Sequence, residues 1–300
     1  MRRLTYFIIL VGIVGAVVVT FAPNEIWHTP PIPSGARKDP ARGEQIALLG
    51  GCSSCHTDNK ENAPALAGGR LLKTDFGVFV VPNITPDPDT GIGKWTDIDF
   101  MRAMTQGLSP SGKHYYPSFP YTSYTHMSVQ DILDLKGYLD TVKPIKNKTA
   151  PHDLNFPYSI RYGVGFWKLV FFDNSRFVPT AGKTESWNRG AYLATGPAHC
   201  IECHSPRNFA GALEKDRAFS GTKKSPEGGK VPNITPHPET GLGKWSEKDM
   251  VDFLQSGMTP SGDITGSNMG EVIKNTSKWP EADRKAVVEY LRSLPPRPLQ

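Results

Sequence analysis

Residues 52–56 read "CSSCH" and residues 200–204 read "CIECH", and these two stretches hold all four cysteines of the 300-residue chain. Four cysteines in an exported protein would ordinarily pair as two disulfides. Here both pairs share one spacing, and each is followed at once by histidine. C-x-x-C-H is the pattern of covalent c-type haem attachment. Two thiols add to the haem vinyl groups as thioethers, and two intervening residues on a helical turn bring both sulfurs to one porphyrin edge. The adjoining histidine then meets the iron from the proximal side. A zinc site would need its ligands brought together, and these pairs stand 148 positions apart. The spacing predicts two covalently bound haem c groups, on Cys52 and Cys55 and on Cys200 and Cys203, with His56 and His204 as proximal ligands.

The text around each motif repeats as well. Before the first lies "DPARGEQIALLGG" (39–51), where Asp39 suits an N-cap and Pro40 the first helical position. Before the second lies "SWNRGAYLATGPAH" (186–199), with Ser186 as the expected cap. Arg42-Gly43 and Arg189-Gly190 occupy matching places, and the glycines predict a close helix crossing. After the motifs come "VPNITPDPDTGIGKW" (81–95) and "VPNITPHPETGLGKW" (231–245), identical at twelve of fifteen positions and offset by 150. A duplicated unit is the simplest source of such a repeat. Capping boxes follow at Thr96–Asp99 and Ser246–Asp249, on helices that end at Gly107 and Gly257. In the last helix of the first half, Ile132, Leu135, Leu139 and Val142 form one apolar face. Each half thus reads as a small helical domain closed by its last helix over its first, as a class I cytochrome c fold requires. Asn83 and Trp95, with Asn233 and Trp245, are expected to hold the haem edge by donating hydrogen bonds to the propionates. The plainer alternative is that they build a tight loop.

A haem that moves electrons needs a sixth ligand, and methionine is the usual one. Aligning the chain with itself places Met101 and Met104 opposite Val251 and Leu254, and Met250 and Met258 opposite Phe100 and Leu108. All four are therefore expected in the core. Met269 falls opposite Phe119 in the Gly/Ser-rich "TGSNMGE" (265–271) and is the expected ligand of the second haem. For the first haem, Met127, His126 and His114 are candidates. Met127 could instead be a hydrophobic staple for the helix capped by Ser128.

The paired C-x-x-C-H motifs, "NITPDPDTGIGKW" (83–95), "YYPSFPYTSYTHMSVQDILDLKGYL" (115–139) and "HDLNFPYSIRYGVGFWKL" (152–169) resemble the multihaem cytochrome c subunits of membrane-bound alcohol, gluconate and related sugar dehydrogenases. The resemblance runs from about Asp39 to Pro295. It implies an electron-transfer protein, not itself an enzyme, relaying electrons from a periplasmic dehydrogenase subunit towards quinone-linked or terminal oxidase components. Carried residue by residue, it puts the proximal ligands on His56 and His204. That family's first domain often reads Tyr-Pro-Ala-Met-Pro-Tyr, whose Met falls on Phe119 here. Members with Phe at that point keep a Met where Met127 stands, which implies Met127 as the sixth ligand of the first haem. Those subunits usually carry three haem motifs and this chain carries two. That leaves open a shorter, free-standing relay or a partner of a different oxidase or reductase. The competing function is a di-haem cytochrome c peroxidase, which needs an open distal site and an acid/base residue over one iron.

The ends and the middle complete the expected plan. Residues 1–23 ("MRRLTYFIILVGIVGAVVVTFAP") form an apolar run behind Arg2 and Arg3 and read as a membrane anchor helix or a signal peptide. The arginines would stay inside, giving an inner-membrane protein with its haem domains facing the periplasm. Residues 24–38 read as a Pro-rich stalk, 39–145 as cytochrome c domain 1, 146–183 as a linker and 184–297 as domain 2. The fold class expected is mainly α, with two tandem cytochrome c domains behind an N-terminal anchor. The apolar part of the linker, 162–172, is too short to span and is expected to pack across the domain interface. A net charge of +5 without a clustered basic run argues against nucleic acid as a partner.

Overall fold

A computed structural model describes residues 27–299, together with positions 5–7, 10, 12 and 15. Helix α1 (Pro40–Leu49) starts where Asp39 accepts hydrogen bonds from the backbone N–H groups of Ala41 and Arg42, at 3.0 and 3.2 Å. The short helix α2 (Cys52–His56) follows, then a hairpin of β1 (Leu71–Thr74) and β2 (Gly77–Val80). Helix α3 (Asp97–Gln106) opens on the Thr96/Asp99 capping box and closes at Gly107 with φ +60°. Helix α4 (Tyr121–Tyr124) is one turn, and α5 (Val129–Leu139) is capped by Ser128.

The second half repeats this order with α7 (Glu185–Thr195), α8 (Cys200–His204), α9 (Glu247–Ser256), α10 (Ser267–Thr276) and α11 (Glu281–Arg292). The cap of α7 is Thr184 rather than Ser186. Its Oγ1 lies 2.9 Å from the Trp187 N–H, three residues on, which is where a capping hydroxyl must reach. The counterpart of the single turn α4 is α10, so Met269 sits on the first turn of a helix and not in a loop.

In each half the last helix crosses the first at a glycine. A Cβ on Gly43 of α1 would fall 1.9 Å from the Asp134 carbonyl oxygen of α5, and one on Gly190 of α7 would fall 1.9 Å from that of Ala286 of α11. Backbone touches backbone there, so only glycine fits. The preceding arginines pin the crossings. Arg42 pairs with Asp131, and Arg189 grips Asp283 with two bonds of 2.8 and 3.0 Å. Each half has its own apolar core. Ile46, Met101, Met104, Met127, Ile132 and Leu139 centre the first, and Leu193, Phe219, Met250, Val287 and Val288 the second. Met258 departs from expectation. It is 51% exposed, because it opens the turn after Gly257 and pairs with the exposed Ile264.

The anchor expected over residues 1–23 is not supported. Among the described residues no helix is long and apolar enough to cross a membrane. Apart from positions 5–7, 10, 12 and 15, residues 1–26 lie outside the described residues.

The stretch between the halves touches both. β3 (Asp153–Leu154) adds to β2 and completes a three-stranded antiparallel sheet. Helix α6 (Gly163–Phe171) buries Val164 and Lys168 on the first half, while Trp167 Nε1 donates to the Ala210 carbonyl of the second at 2.8 Å. Lys168 is wholly buried. Its Nζ lies 4.1 Å from the Trp27 ring centre and 5.5 Å from those of Tyr121 and Phe172. It donates to the Gln106 carbonyl at 2.5 Å and lies 3.1 Å from His114 Nδ1. The aromatic faces offset part of the cost of burying an ammonium.

Two outcomes follow for stability. Gly43→Ala and Gly190→Ala should each cost about 2–4 kcal/mol. Gly163→Ala, where an added Cβ meets nothing within 4 Å, should stay within about 0.5 kcal/mol; thermal unfolding compares the three. Burial lowers the Lys168 amine from 10.5 to about 7. Above that folded value the unfolded chain still binds a proton that the folded chain has shed, so this group's contribution makes stability rise with pH from about 7 to 10. Lys168→Met should flatten that slope in melting curves taken across the same window.

Candidate haem-binding sites

Both C-x-x-C-H helices are entered through a left-handed residue, Gly51 at φ +59° and His199 at φ +40°. That sharp entry turns a five-residue helix out of the preceding one. The cysteines occupy positions i and i+3 and share one face, with the histidine next to the second. All four thiols are free. Cys55 and Cys203 are exposed, whereas Cys52 and Cys200 pack against the two cores. Burial pushes the Cys52 thiol up to about 12 and that of Cys200 up to about 11. A cysteine packed against each apolar core suits a haem edge.

His56 Nδ1 lies 2.8 Å from the Pro82 carbonyl oxygen, and His204 Nδ1 lies 2.8 Å from that of Pro232. With Nδ1–H donated to the backbone, Nε2 is left as the lone-pair nitrogen, the arrangement a metal-ligating histidine takes. Burial lowers both imidazoles below their ordinary value, against the opposing carbonyl bond, which favours the neutral ligating form. The backbone of the same histidines is held too. The Gly68 N–H donates to the His56 carbonyl and the Gly221 N–H to that of His204, both at 2.7 Å. A Cβ on Gly68 would strike Pro82 at 2.4 Å, and one on Gly221 would strike Asn233 at 2.5 Å. The donor set therefore fits haem c. Cys52, Cys55 and His56 would hold one group, and Cys200, Cys203 and His204 the other.

In the twin segments each asparagine is engaged within the chain. Asn83 Nδ2 donates to Thr90 Oγ1 at 3.1 Å and to the Ile145 carbonyl at 2.7 Å, while its Oδ1 accepts from the Thr85 N–H and Oγ1. Asn233 repeats this with Thr240 at 3.1 Å, the Arg297 carbonyl at 2.5 Å and Thr235. Both amide protons of each asparagine are used within the chain, and both residues are buried. They fasten the strand of chain that leaves α5 or α11. Trp95 and Trp245 are half-buried and pack against the first and second cores, respectively.

Met127 is 1% exposed in the first core, with Tyr124 in the same cluster and Phe119 packed against it. Its carbonyl, and that of Thr125, accept from Arg176 of the linker. Met269 is half-buried on α10. His126 Nδ1 lies 3.0 Å from the Thr195 carbonyl oxygen, and His114 is buried against Lys168 and Trp27. Those histidines serve packing and contacts between segments. Two residues of consequence were not foreseen. Arg176 gave no signal in sequence. Glu202, inside the second motif, gave a faint one, as a carboxylate where the first motif has Ser54.

Comparison with known proteins agrees with this geometry. A cytochrome c family model matches residues 40–143. The chain is 44% identical over 304 residues to a protein described as "Diheme cytochrome c-type" from Cereibacter sphaeroides, covering 98% of each. It is 35% identical to the fructose dehydrogenase cytochrome subunit of Gluconobacter japonicus, over 89% of this chain and 55% of that one. It is 33% identical to the gluconate 2-dehydrogenase cytochrome c subunit of Pantoea cypripedii, over 84% of this chain and 59% of that one. The chain thus spans little more than half the length of those two dehydrogenase subunits. With matched proximal sites in both halves and a full-length relative at this identity, the chain belongs to the cytochrome c family, among its di-haem c-type members.

Proposed function

We propose that this protein relays electrons through two covalently attached haem c groups in the periplasm, between a dehydrogenase partner and quinone-linked or terminal oxidase components of a respiratory chain. The observation that carries the reading is the equivalence of the two proximal sites, each with Nδ1 at 2.8 Å from a proline carbonyl. A peroxidase would need an open distal site with an acid/base residue over one iron, and relatives described as dehydrogenase cytochrome subunits favour the relay instead. The dehydrogenase partner is supported by relatives that are themselves cytochrome subunits of fructose, alcohol and gluconate dehydrogenases.

Bound haem supplies the one-electron chemistry. The chain does the rest. Cys52, Cys55, Cys200 and Cys203 fix each macrocycle, and the Pro82 and Pro232 carbonyls orient His56 and His204 and strengthen their basicity. Met127 and Met269 would be the sixth ligands, and methionine in that place would raise the potential relative to a second histidine. The apolar cores keep water away from the buried side of each site.

Met127→Ala should turn the first haem from low to high spin and leave the second alone, and Met269→Ala the reverse. Optical and electron paramagnetic resonance spectra of the oxidised protein read both. Unmodified protein should show two low-spin haems with a methionine–iron charge-transfer band. A persistent high-spin haem that turns over hydrogen peroxide would sink the relay reading in favour of the peroxidase.

A further inference from the structure

The third residue of each C-x-x-C-H helix reaches into the other half. Ser54 Oγ of α2 accepts from Asn275 Nδ2 at 2.8 Å, and Asn275 lies on α10, the helix that carries Met269. Glu202 of α8 reaches the opposite way. Its Oε1 accepts from Thr122 Oγ1 at 2.6 Å and from Ser123 Oγ at 2.8 Å, both on α4. Its Oε2 pairs with Arg207 at 2.7 Å. Glu202 is only 9% exposed, and a carboxylate taken out of water is tolerated only with such a full set of partners. Bonds to an ionised acceptor are roughly twice as strong as neutral ones, so the Glu202 link outweighs the Ser54 link.

Helix α4 lies in sequence between Phe119 and Met127, the residue proposed above as the sixth ligand of the first haem. The second half holds that stretch again just beyond α4. The Ser128 N–H donates to Tyr192 Oη at 3.1 Å, and His126 Nδ1 lies 3.0 Å from the Thr195 carbonyl oxygen. The first half therefore does not set its own distal segment alone.

We propose that Glu202, although it belongs to the second haem's attachment motif, is a positioning residue for the first haem. It fixes α4 and, through it, the groups that face the first iron. Ser54 and Asn275 form the weaker reciprocal link, so each haem's ligation and potential depend on the other's attachment helix. The inference rests on the reading that both C-x-x-C-H motifs carry haem.

The test uses the full-length holoprotein, with the ferric signals of the two haems resolved by electron paramagnetic resonance and their potentials by redox titration. Glu202→Ala should shift the first haem's ferric signal and its midpoint potential. Glu202→Gln retains an acceptor oxygen for the two hydroxyls and should restore the first haem's ligand signature. The double variant Thr122→Val, Ser123→Ala leaves the second motif untouched, and so covers the case in which Glu202→Ala fails to attach haem. It should reproduce the first-haem shift. Unchanged first-haem signals in that double variant, or movement of the second haem alone in the Glu202 variants, would overturn the proposal. Either result leaves two low-spin haems and the relay reading intact. Failure of the relay reading would show instead in the unmodified protein, as a haem count other than two or a high-spin haem with peroxide turnover.

Discussion

The hydrogen bond between each proximal histidine and a proline carbonyl sets the terms for the rest of its half. It fixes the tautomer, and so which nitrogen can ligate. The carbonyl can take that place only because Gly68 or Gly221 lets the loop after the motif lie against the start of the twin segment. The segment keeps its shape because Asn83 or Asn233 ties it to the chain beyond the last helix. That chain arrives at the right place because the last helix crosses the first at Gly43 or Gly190, backbone to backbone. A ligand geometry that depends on one proton is thus supported by contacts spread over about a hundred residues, a size typical of a single domain.

Features that depend on a few neighbouring residues were legible in sequence. The haem motifs, the Asp39 cap, the two capping boxes and the crossing glycines all act locally or repeat in register, and the structure has them where they were read. What was not legible depends on distant partners. The role of Asn83 is decided by Ile145, sixty-two positions away. Lys168 is one cation in the apolar run "GVGFWKLVFF" (163–172), and the rings around it come from Trp27, Tyr121 and Phe172. The placement of Met269 on a helix was hidden by Gly266 and Gly270, which suggested a loop. The expectation for residues 1–23 rested on an apolar run behind Arg2 and Arg3, and no described helix is long and apolar enough to span.

The halves are not copies in every respect. Asp87 accepts the N–H groups of Asp89 and Thr90 in the first twin segment, and His237 Nδ1 faces the corresponding Glu239 and Thr240 N–H groups in the second. A single turn in the first half becomes the ten-residue α10 in the second. The histidine contacts stay alike while the segments that carry Met127 and Met269 diverge. That is the pattern expected if attachment is a fixed chemical requirement and the distal environment is where two potentials are set apart.

The fastening at Ile145 and Asn147 has a mechanical consequence. The chain leaving α5 is tied to Asn83, Thr85 and Thr90 before it runs on towards the sheet and α6. A pull on the connector therefore meets the twin segment at these bonds, one residue from the Pro82 carbonyl that faces His56 Nδ1.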